Sequence, residues 1–384
     1  MALPLTPLNC LVDSLCHSRK LGEAVRLIAS RTLEPEQYSV YSKILRLCTD
    51  LNSRKCGQLV HFRLIAVGFP TNTCLNTRLI MFYSKCGEMK TARKVFDKMS
   101  ERSVVTWTAL ISGYSQNADY EEALRAFSAM HGEGARANQF TYGSALRACT
   151  RLLCLELGKQ IQGCLQKGRF VDNLFIQSAL VDLHSKCGKM EDARCVFDSM
   201  ETRDLVCWNA MIGGYAAQGL SDDAILVFRS MLGEGLKPNG VTLLSILFAC
   251  SHNGLSTQGW EWFRSVVKQN DILLRAEHYS CLVDVLARAD CLEEEYGLIR
   301  GKIPMDIDAS ALGAMLGACS VHVNVNLGEI VARRLFDLEP GNAVNYVVLS
   351  GIYSAAGMWR NAMETRVLME KNITAKYPGY SSCQ

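Results

Sequence analysis

Apolar side chains recur along this chain at helical spacing, in short paired runs. Trp107, Leu110, Ile111 and Tyr114 fall at i, i+3, i+4 and i+7, which puts them on one face of a helix. Asn117, Ala118 and Asp119 interrupt the run with turn-forming types. A second stripe follows at Tyr120, Leu124, Phe127 and Met130. Glu121 and Glu122 stand in its first turn, where the helix dipole favours acids, and Gly132 and Gly134 stand at its end. The segment 104–138 is therefore predicted to be two antiparallel helices and a turn. Neither helix can bury its stripe alone, so neighbouring segments must cover it.

The same pattern returns at a fixed offset. Ser84-Lys85-Cys86-Gly87 recurs as Ser185-Lys186-Cys187-Gly188, and Val95-Phe96-Asp97 as Val196-Phe197-Asp198. Trp107 and Trp208 stand 101 residues apart, as do Cys48, Cys149 and Cys250 in turn. A gap-free self-similarity of this length predicts an array of small units. The units run 38–72, 73–103, 104–138, 139–173, 174–204 and 205–239, with lengths of 35, 31, 35, 35, 31 and 35 residues, so the true period is a triplet. A degenerate unit within 1–37 precedes them. Segments 240–275 and 276–308 follow, and two further helical pairs lie in 309–384. The expected fold is all-α, one elongated solenoid of stacked helical pairs with no second globular domain.

Composition agrees with an array. A single compact core would be unusual for 384 residues, 49% of them hydrophobic, and a stack of small units would not. The net charge of +3 is only mildly basic, so any cationic face must be local. Seventeen cysteines, dispersed in apolar contexts, fit small buried thiols in a reducing compartment better than a disulfide framework. The longest apolar run, around Val241 to Cys250, is far short of the roughly 20 residues that cross a bilayer, so no membrane partner is expected. Met1 to Pro7 carries no charge, and helical patterning begins near Asn9, which resembles neither a signal peptide nor an Arg/Ser-rich transit peptide.

Enzyme chemistry finds little support. A zinc deaminase needs H-x-E with a downstream C-x-x-C pair. His131-Gly132-Glu133 supplies the first, but the chain contains no C-x-x-C, and the counterpart of His131 one period later is Leu232. Phosphate-loop, dinucleotide and H-E-x-x-H patterns are missing too. No catalytic residue, metal or cofactor is expected. The cysteines at recurring slots (Cys48, Cys149, Cys250; Cys86, Cys187) and the tryptophans in step with the apolar stripe are expected in the core. The thirteenth residues of successive units are Lys85, Gln116, Arg151, Lys186, Ala217, His252 and Arg288. Stacking would align Lys85, Arg151, Lys186 and Arg288 into a cationic stripe able to follow a phosphate backbone. Charge favourable to helix C-termini explains the same residues equally well.

Taken together, the two-helix units, with Thr106-Trp107, Ala109-Leu110-Ile111, Gly113-Tyr114 and then Glu121-Glu122-Ala123-Leu124, Phe127 and Met130, resemble the pentatricopeptide repeat (PPR) family. The 35/31/35 triplet resembles its plant PLS subclass. Ala249-Cys250-Ser251-His252, Glu277-His278-Tyr279, Leu316-Gly317-Ala318-Cys319 and Leu338-Glu339-Pro340-Gly341-Asn342 resemble that subclass's C-terminal E extension. No deaminase-like DYW stretch follows. The resemblance implies a right-handed superhelix that binds single-stranded RNA, one base per unit, through the fifth and last residues of each unit. Those are Thr77/Ser103, Thr108/Asn138, Ser178/Asp204 and Asn209/Asn239. By family rules Thr108/Asn138 favours adenine, Ser178/Asp204 guanine and Asn209/Asn239 a pyrimidine, while Thr77/Ser103 leans toward adenine. Ser42/Asn72 and Gly143/Asn173 specify weakly, and Leu244/Arg275 is a spacer. The implied role is selection of cytidines for C-to-U editing in a mitochondrion or, second in preference, a chloroplast, with a DYW-type deaminase and other editing factors recruited in trans. Transcript stabilisation, splicing or translation without editing is one alternative. A protein-binding helical scaffold is another.

Overall fold

The computed structural model describes residues 8–29, 38–68, 72–168, 170, 172–270, 272, 274–287 and 309–372 of the chain. All secondary structure among these residues is helical. The chain divides into two units, Met1–Thr202 and Arg203–Gln384. The first contains α1 (Leu8–His17), α2 (Leu21–Ala29), α3 (Tyr38–Asp50), α4 (Arg54–Ala66), α5 (Thr73–Lys85), α6 (Met89–Asp97), α7 (Val104–Gln116), α8 (Tyr120–Gly132), α9 (Gln139–Leu152), α10 (Leu155–Lys167), α11 (Leu174–Lys186) and α12 (Met190–Ser199). The second contains α13 (Leu205–Ala217), α14 (Ser221–Gly233), α15 (Gly240–Asn253), α16 (Ser256–Asn270), α17 (Ala276–Ala287), α18 (Ala309–Val321), α19 (Val325–Leu338), α20 (Ala343–Ala355) and α21 (Trp359–Asn372).

Each unit is built from stacked helical pairs. In the first, α3, α5, α7, α9 and α11 pack side by side in a row, and α2, α6, α8 and α10 each pack on their own partner and on the first helix of the next pair. In the second, α13, α15, α17, α18 and α20 form the corresponding row. The pattern follows from the two stripes: a first helix has neighbours on several sides, a second helix on fewer. Trp107, Leu110, Ile111 and Tyr114 are all buried, as are Leu124, Phe127 and Met130. Trp107 meets Phe96 edge-to-face at 4.6 Å, so the tryptophan belongs to the core. Cys48, Cys149 and Cys250 are fully buried, and burial pushes each thiol up to about 12.

The 101-residue period extends to polar contacts. Arg93–Asp97 and Arg194–Asp198 are both 2.8 Å pairs along one helix. Arg102 reaches Glu133 as Arg203 reaches Glu234. One contact is exchanged rather than repeated. His61 and the Tyr83 hydroxyl are 2.7 Å apart, whereas one period later Gln162 and His184 are 3.0 Å apart. Burial pulls both histidines below their ordinary pKa. Lys98 adds to this at His61, while at His184 the Asp192 carboxylate opposes it and Lys159 adds to it. Below about pH 6.5 the unfolded chain takes up protons first, so stability is full above that pH and declines as pH falls toward the folded pKa values. Melting temperatures measured from neutral to acidic pH should fall accordingly, and H184Y, which copies Tyr83, should flatten part of the slope.

Close approach of the first helices sets one steric limit. A Cβ added to Gly113 would lie 2.8 Å from the Ser84 Cβ and 2.3 Å from its hydroxyl. Serine is too short to swing aside, so Gly113→Ala should cost about 1–3 kcal/mol in denaturant unfolding.

Candidate nucleic-acid interface

The last residue of a predicted segment becomes the N-cap of the next first helix. Asn72, Ser103, Asn138, Asn173, Asp204 and Asn239 all do this, with the side-chain oxygen accepting from backbone N–H groups in the first turn. Asn138 and Asn239 complete capping boxes with Thr141 and Thr242. Capping therefore explains the residue types at these positions. The cap uses only the side-chain oxygen of each asparagine; among the described residues, no hydrogen bond of Asn138 or Asn239 has the side-chain Nδ2 as donor.

The fifth residues join the same polar clusters. Thr108 Oγ1 donates to the Val104 carbonyl at 2.7 Å and lies 2.7 Å from Thr141 Oγ1. Thr141 Oγ1 is 3.0 Å from Asn138 Oδ1. Asn209 donates to Asn239 Oδ1 at 3.3 Å and accepts from Thr242 Oγ1 at 2.6 Å. Thr77 lies 2.8 Å from Thr106, which is 2.9 Å from Ser103. Fifth and last residues are thus brought together within each of these three pairs. Ser178 lies in the first unit, on α11, and Asp204 in the second, where it caps α13 through a 2.9 Å bond from the Cys207 N–H.

Exposure separates the candidates. Thr108 and Asn209 are half-buried and reach the surface beside half-buried Asn138 and Asn239. Thr77 and Ser178, from the two 31-residue segments, keep only 6% and 3% of their surface. The last residues of those segments, Ser103 and Asp204, are exposed and half-buried respectively. At Gly143 a Cβ would meet the Phe175 ring at 2.1 Å, so that slot is occupied by an aromatic side chain and offers no polar group.

Sequence reasoning missed a row of exposed apolar residues. Val105, Phe140 and Phe175 in the first unit, and Val206 and Val241 in the second, hold the second position of their segments and are 54–59% exposed. Phe140 and Phe175 approach at 6.5 Å between ring centres. The available signal was phase: these residues lie off the buried stripe of their own helices yet stay apolar.

Lys85, Arg151 and Lys186 are exposed at or next to the C-terminal ends of α5, α9 and α11. Lys186 is held by Asp182 at 2.9 Å, which reduces its availability to an anion. Arg288 lies outside the described residues. His131 packs edge-to-face on Phe127 and Glu133 pairs with Arg102, so the H-x-E residues serve repeat packing. Among the described residues no cluster of three or more His, Cys, Asp or Glu is placed to hold a metal ion.

Comparison with known proteins agrees with a fold of stacked helical pairs. A PPR repeat family profile matches residues 102–151 and 203–252, and a PPR repeat profile matches 77–104 and 178–205. An E motif profile matches residues 322–384. A chloroplastic pentatricopeptide repeat-containing protein of Arabidopsis thaliana is 37% identical over 377 residues, covering 97% of this chain and 46% of that protein. A second from the same plant is 36% identical over 375 residues, covering 97% of this chain and 74% of that protein. A mitochondrial one is 37% identical over 352 residues, covering 90% and 53%. The chain thus spans about half to three quarters of the length of these relatives. The crystal structure of the pentatricopeptide repeat protein PPR10 with an 18-nucleotide psaJ RNA element superimposes with a TM-score of 0.60 at 16% identity, covering 95% of this chain and 60% of that one.

Proposed function

Because the chain belongs to the pentatricopeptide repeat family, in the PLS subclass with an E-motif extension, we propose that it is a sequence-specific single-stranded RNA-binding protein of a plant mitochondrion or chloroplast. It selects cytidines for C-to-U editing and itself supplies no catalytic group. The observation that carries this reading is the recurrence of a half-buried polar pair, Thr108/Asn138 and Asn209/Asn239, beside an exposed apolar residue at each segment's second position. Such a pair can hydrogen-bond the edge of an unstacked base while the apolar neighbours cover its faces. The relatives named above include mitochondrial and chloroplastic proteins, which supports either organelle.

In this reading segments 38–308 form the RNA-binding array, winding as a right-handed superhelix of 35/31/35 triplets, and 309–384 recruits a DYW-type deaminase in trans. Segment 276–308 lies four nucleotides upstream of the edited cytidine. Asn209/Asn239 then meets a pyrimidine at −6, Ser178/Asp204 a guanine at −7 and Thr108/Asn138 an adenine at −9. Thr77/Ser103 contributes least, because Thr77 has little free surface. Lys85, Arg151, Lys186 and Arg288 contact phosphates. Comparing organellar transcripts with and without the gene tests the editing role: loss of C-to-U conversion at particular sites supports it, and unchanged conversion with altered transcript ends refutes it. The phosphate role has its own check. Joint replacement of Lys85 and Arg151 by Glu should weaken RNA binding for all sequences and flatten the slope of log affinity against log salt by about 1.4.

A further inference from the structure

The 101-residue period gives every surface an internal control, because counterpart residues share one fold and that fold does not demand their difference. The second helices α4 and α6 depart from their counterparts. Leu59, Phe62 and Ile65 stand at i, i+3 and i+6 on α4 and are 58%, 69% and 65% exposed. One period later the same slots on α10 hold Gln160, Gly163 and Gln166, and a period further they hold Glu261, Arg264 and Val267. Exposed apolar residues scattered singly are ordinary, but three large ones on one helical face mark a contact surface.

Charge departs in the same place. Segment 54–98 carries nine lysines and arginines against two acids, whereas its counterpart 155–199 carries six against six. Both acids are spent on arginines: Glu88 pairs with Arg54, and Asp97 with Arg93 at 2.8 Å. The lysines stay uncommitted. Lys55 on α4, and Lys90, Lys94 and Lys98 spaced four apart along α6 and its C-cap, are all exposed, and none forms an ion pair among the described residues. Their counterparts are Glu156, Glu191, Cys195 and Ser199. The apolar row and the cationic row adjoin. Gln58 on α4 donates to Glu88, the N-cap of α6, at 3.0 Å. Burial and then Lys98 hold His61 below its ordinary pKa, which places Lys98 beside α4.

We propose that α4 and α6 form a peripheral docking surface for an anionic lipid bilayer. Leu59, Phe62 and Ile65 enter the boundary between headgroups and acyl chains, and the four lysines meet lipid phosphates. Among the described residues no helix is long and apolar enough to cross a membrane. Surface attachment needs no such helix, only large apolar side chains beside uncommitted basic ones. The residue types favour lipid over other partners. Protein interfaces draw on Trp, Tyr and Arg and are depleted in lysine. Single-stranded RNA stacks on successive aromatic rings, and Phe62 stands between two aliphatic residues. A headgroup layer accepts point charges at any spacing, which suits lysine. The base-reading pairs lie on first helices, so this surface uses no residue assigned to RNA and the inference stands apart from that reading.

The test floats the full chain with vesicles of phosphatidylcholine alone and of equimolar phosphatidylcholine and phosphatidylglycerol. Two double variants copy the second period, so each slot receives a residue that the repeat already accepts. L59Q/I65Q takes the glutamines of α10, and K90E/K98S takes Glu191 and Ser199. Circular dichroism melts check that both fold. We expect wild type to bind the mixed vesicles, more weakly as salt rises, and L59Q/I65Q to lower the partition coefficient by at least about tenfold, the worth of burying one such side chain. K90E/K98S should lower it on the order of 100-fold, at about fivefold per unit charge, and narrow the preference for mixed over neutral vesicles by the same factor. If wild type binds neither vesicle, or L59Q/I65Q binds the mixed vesicles as wild type does, or K90E/K98S keeps the full preference, the inference is overturned. Loss of RNA affinity in L59Q/I65Q would then give the surface to nucleic acid, and an acidic helical peptide held by wild type but by neither variant would give it to a protein.

Discussion

Replacing Asn138 by Asp will exchange adenine for guanine at the nucleotide facing segment 104–138. The substitution leaves the fold alone, because Asp caps a helix as well as Asn does. Asp204 demonstrates this within the chain, accepting from the Cys207 N–H at 2.9 Å just as Asn138 accepts from Thr141. Recognition changes because the amide hydrogens of Asn138 become carboxylate lone pairs. Beside Thr108, whose hydroxyl hydrogen goes to the Val104 carbonyl and leaves only lone pairs to face outward, the pair then suits the two adjacent donors of guanine. A good bidentate base contact discriminates by about 1–3 kcal/mol, so losing one preference and gaining the other should move the adenine-to-guanine affinity ratio by on the order of 10²-fold. Fluorescence anisotropy with two oligonucleotides differing only at −9 reads it directly. An unchanged ratio with full affinity would mean that Asn138 caps α9 and does nothing else.

The second large effect is on stability. Trp107→Ala should destabilise the first unit by about 3–5 kcal/mol, the range for an aromatic-to-alanine cavity. Trp107 on α7 meets Phe96 on α6, and the Arg102 guanidinium lies 4.8 Å over the other part of that contact, the Phe96 ring. The cavity therefore opens at the joint between two helical pairs, where neighbour contacts carry most of an array's stability. Hydrogen exchange should show lost protection in both α6 and α7, with smaller changes toward α1. A loss confined to α7, or below about 1 kcal/mol in denaturant unfolding, would place Trp107 outside that joint.

The sequence carried the architecture because array physics is written in periodicity. The two stripes of segment 104–138 predict α7 and α8, and the 101-residue offset recurs in contacts that no composition argument reaches, such as Arg102–Glu133 and Arg203–Glu234. Trp107, Trp208, Cys48, Cys149 and Cys250 are buried as their spacing implied, whereas Cys86 and Cys187, also expected in the core, are only half-buried. The interface was legible only in part, for physical reasons. Asn138 and Asn239 carry two signals in one residue type, since an oxygen that caps and an amide nitrogen that stays free look the same in a sequence. The burial of Thr77 and Ser178 depends on how neighbouring helices cover each segment, which spacing alone does not give. Phe140 and Val105 were hidden because an exposed apolar residue next to a buried stripe reads as part of the stripe.

If ordered side-chain pairs read ordered bases, RNAs selected from a randomised pool by the wild-type protein will share one order of bases. Adenine, any base, guanine and pyrimidine should be enriched in that 5′ to 3′ order, from binding that weakens steeply as salt rises. Recovered RNAs with no shared order of bases, or binding indifferent to salt, would contradict it.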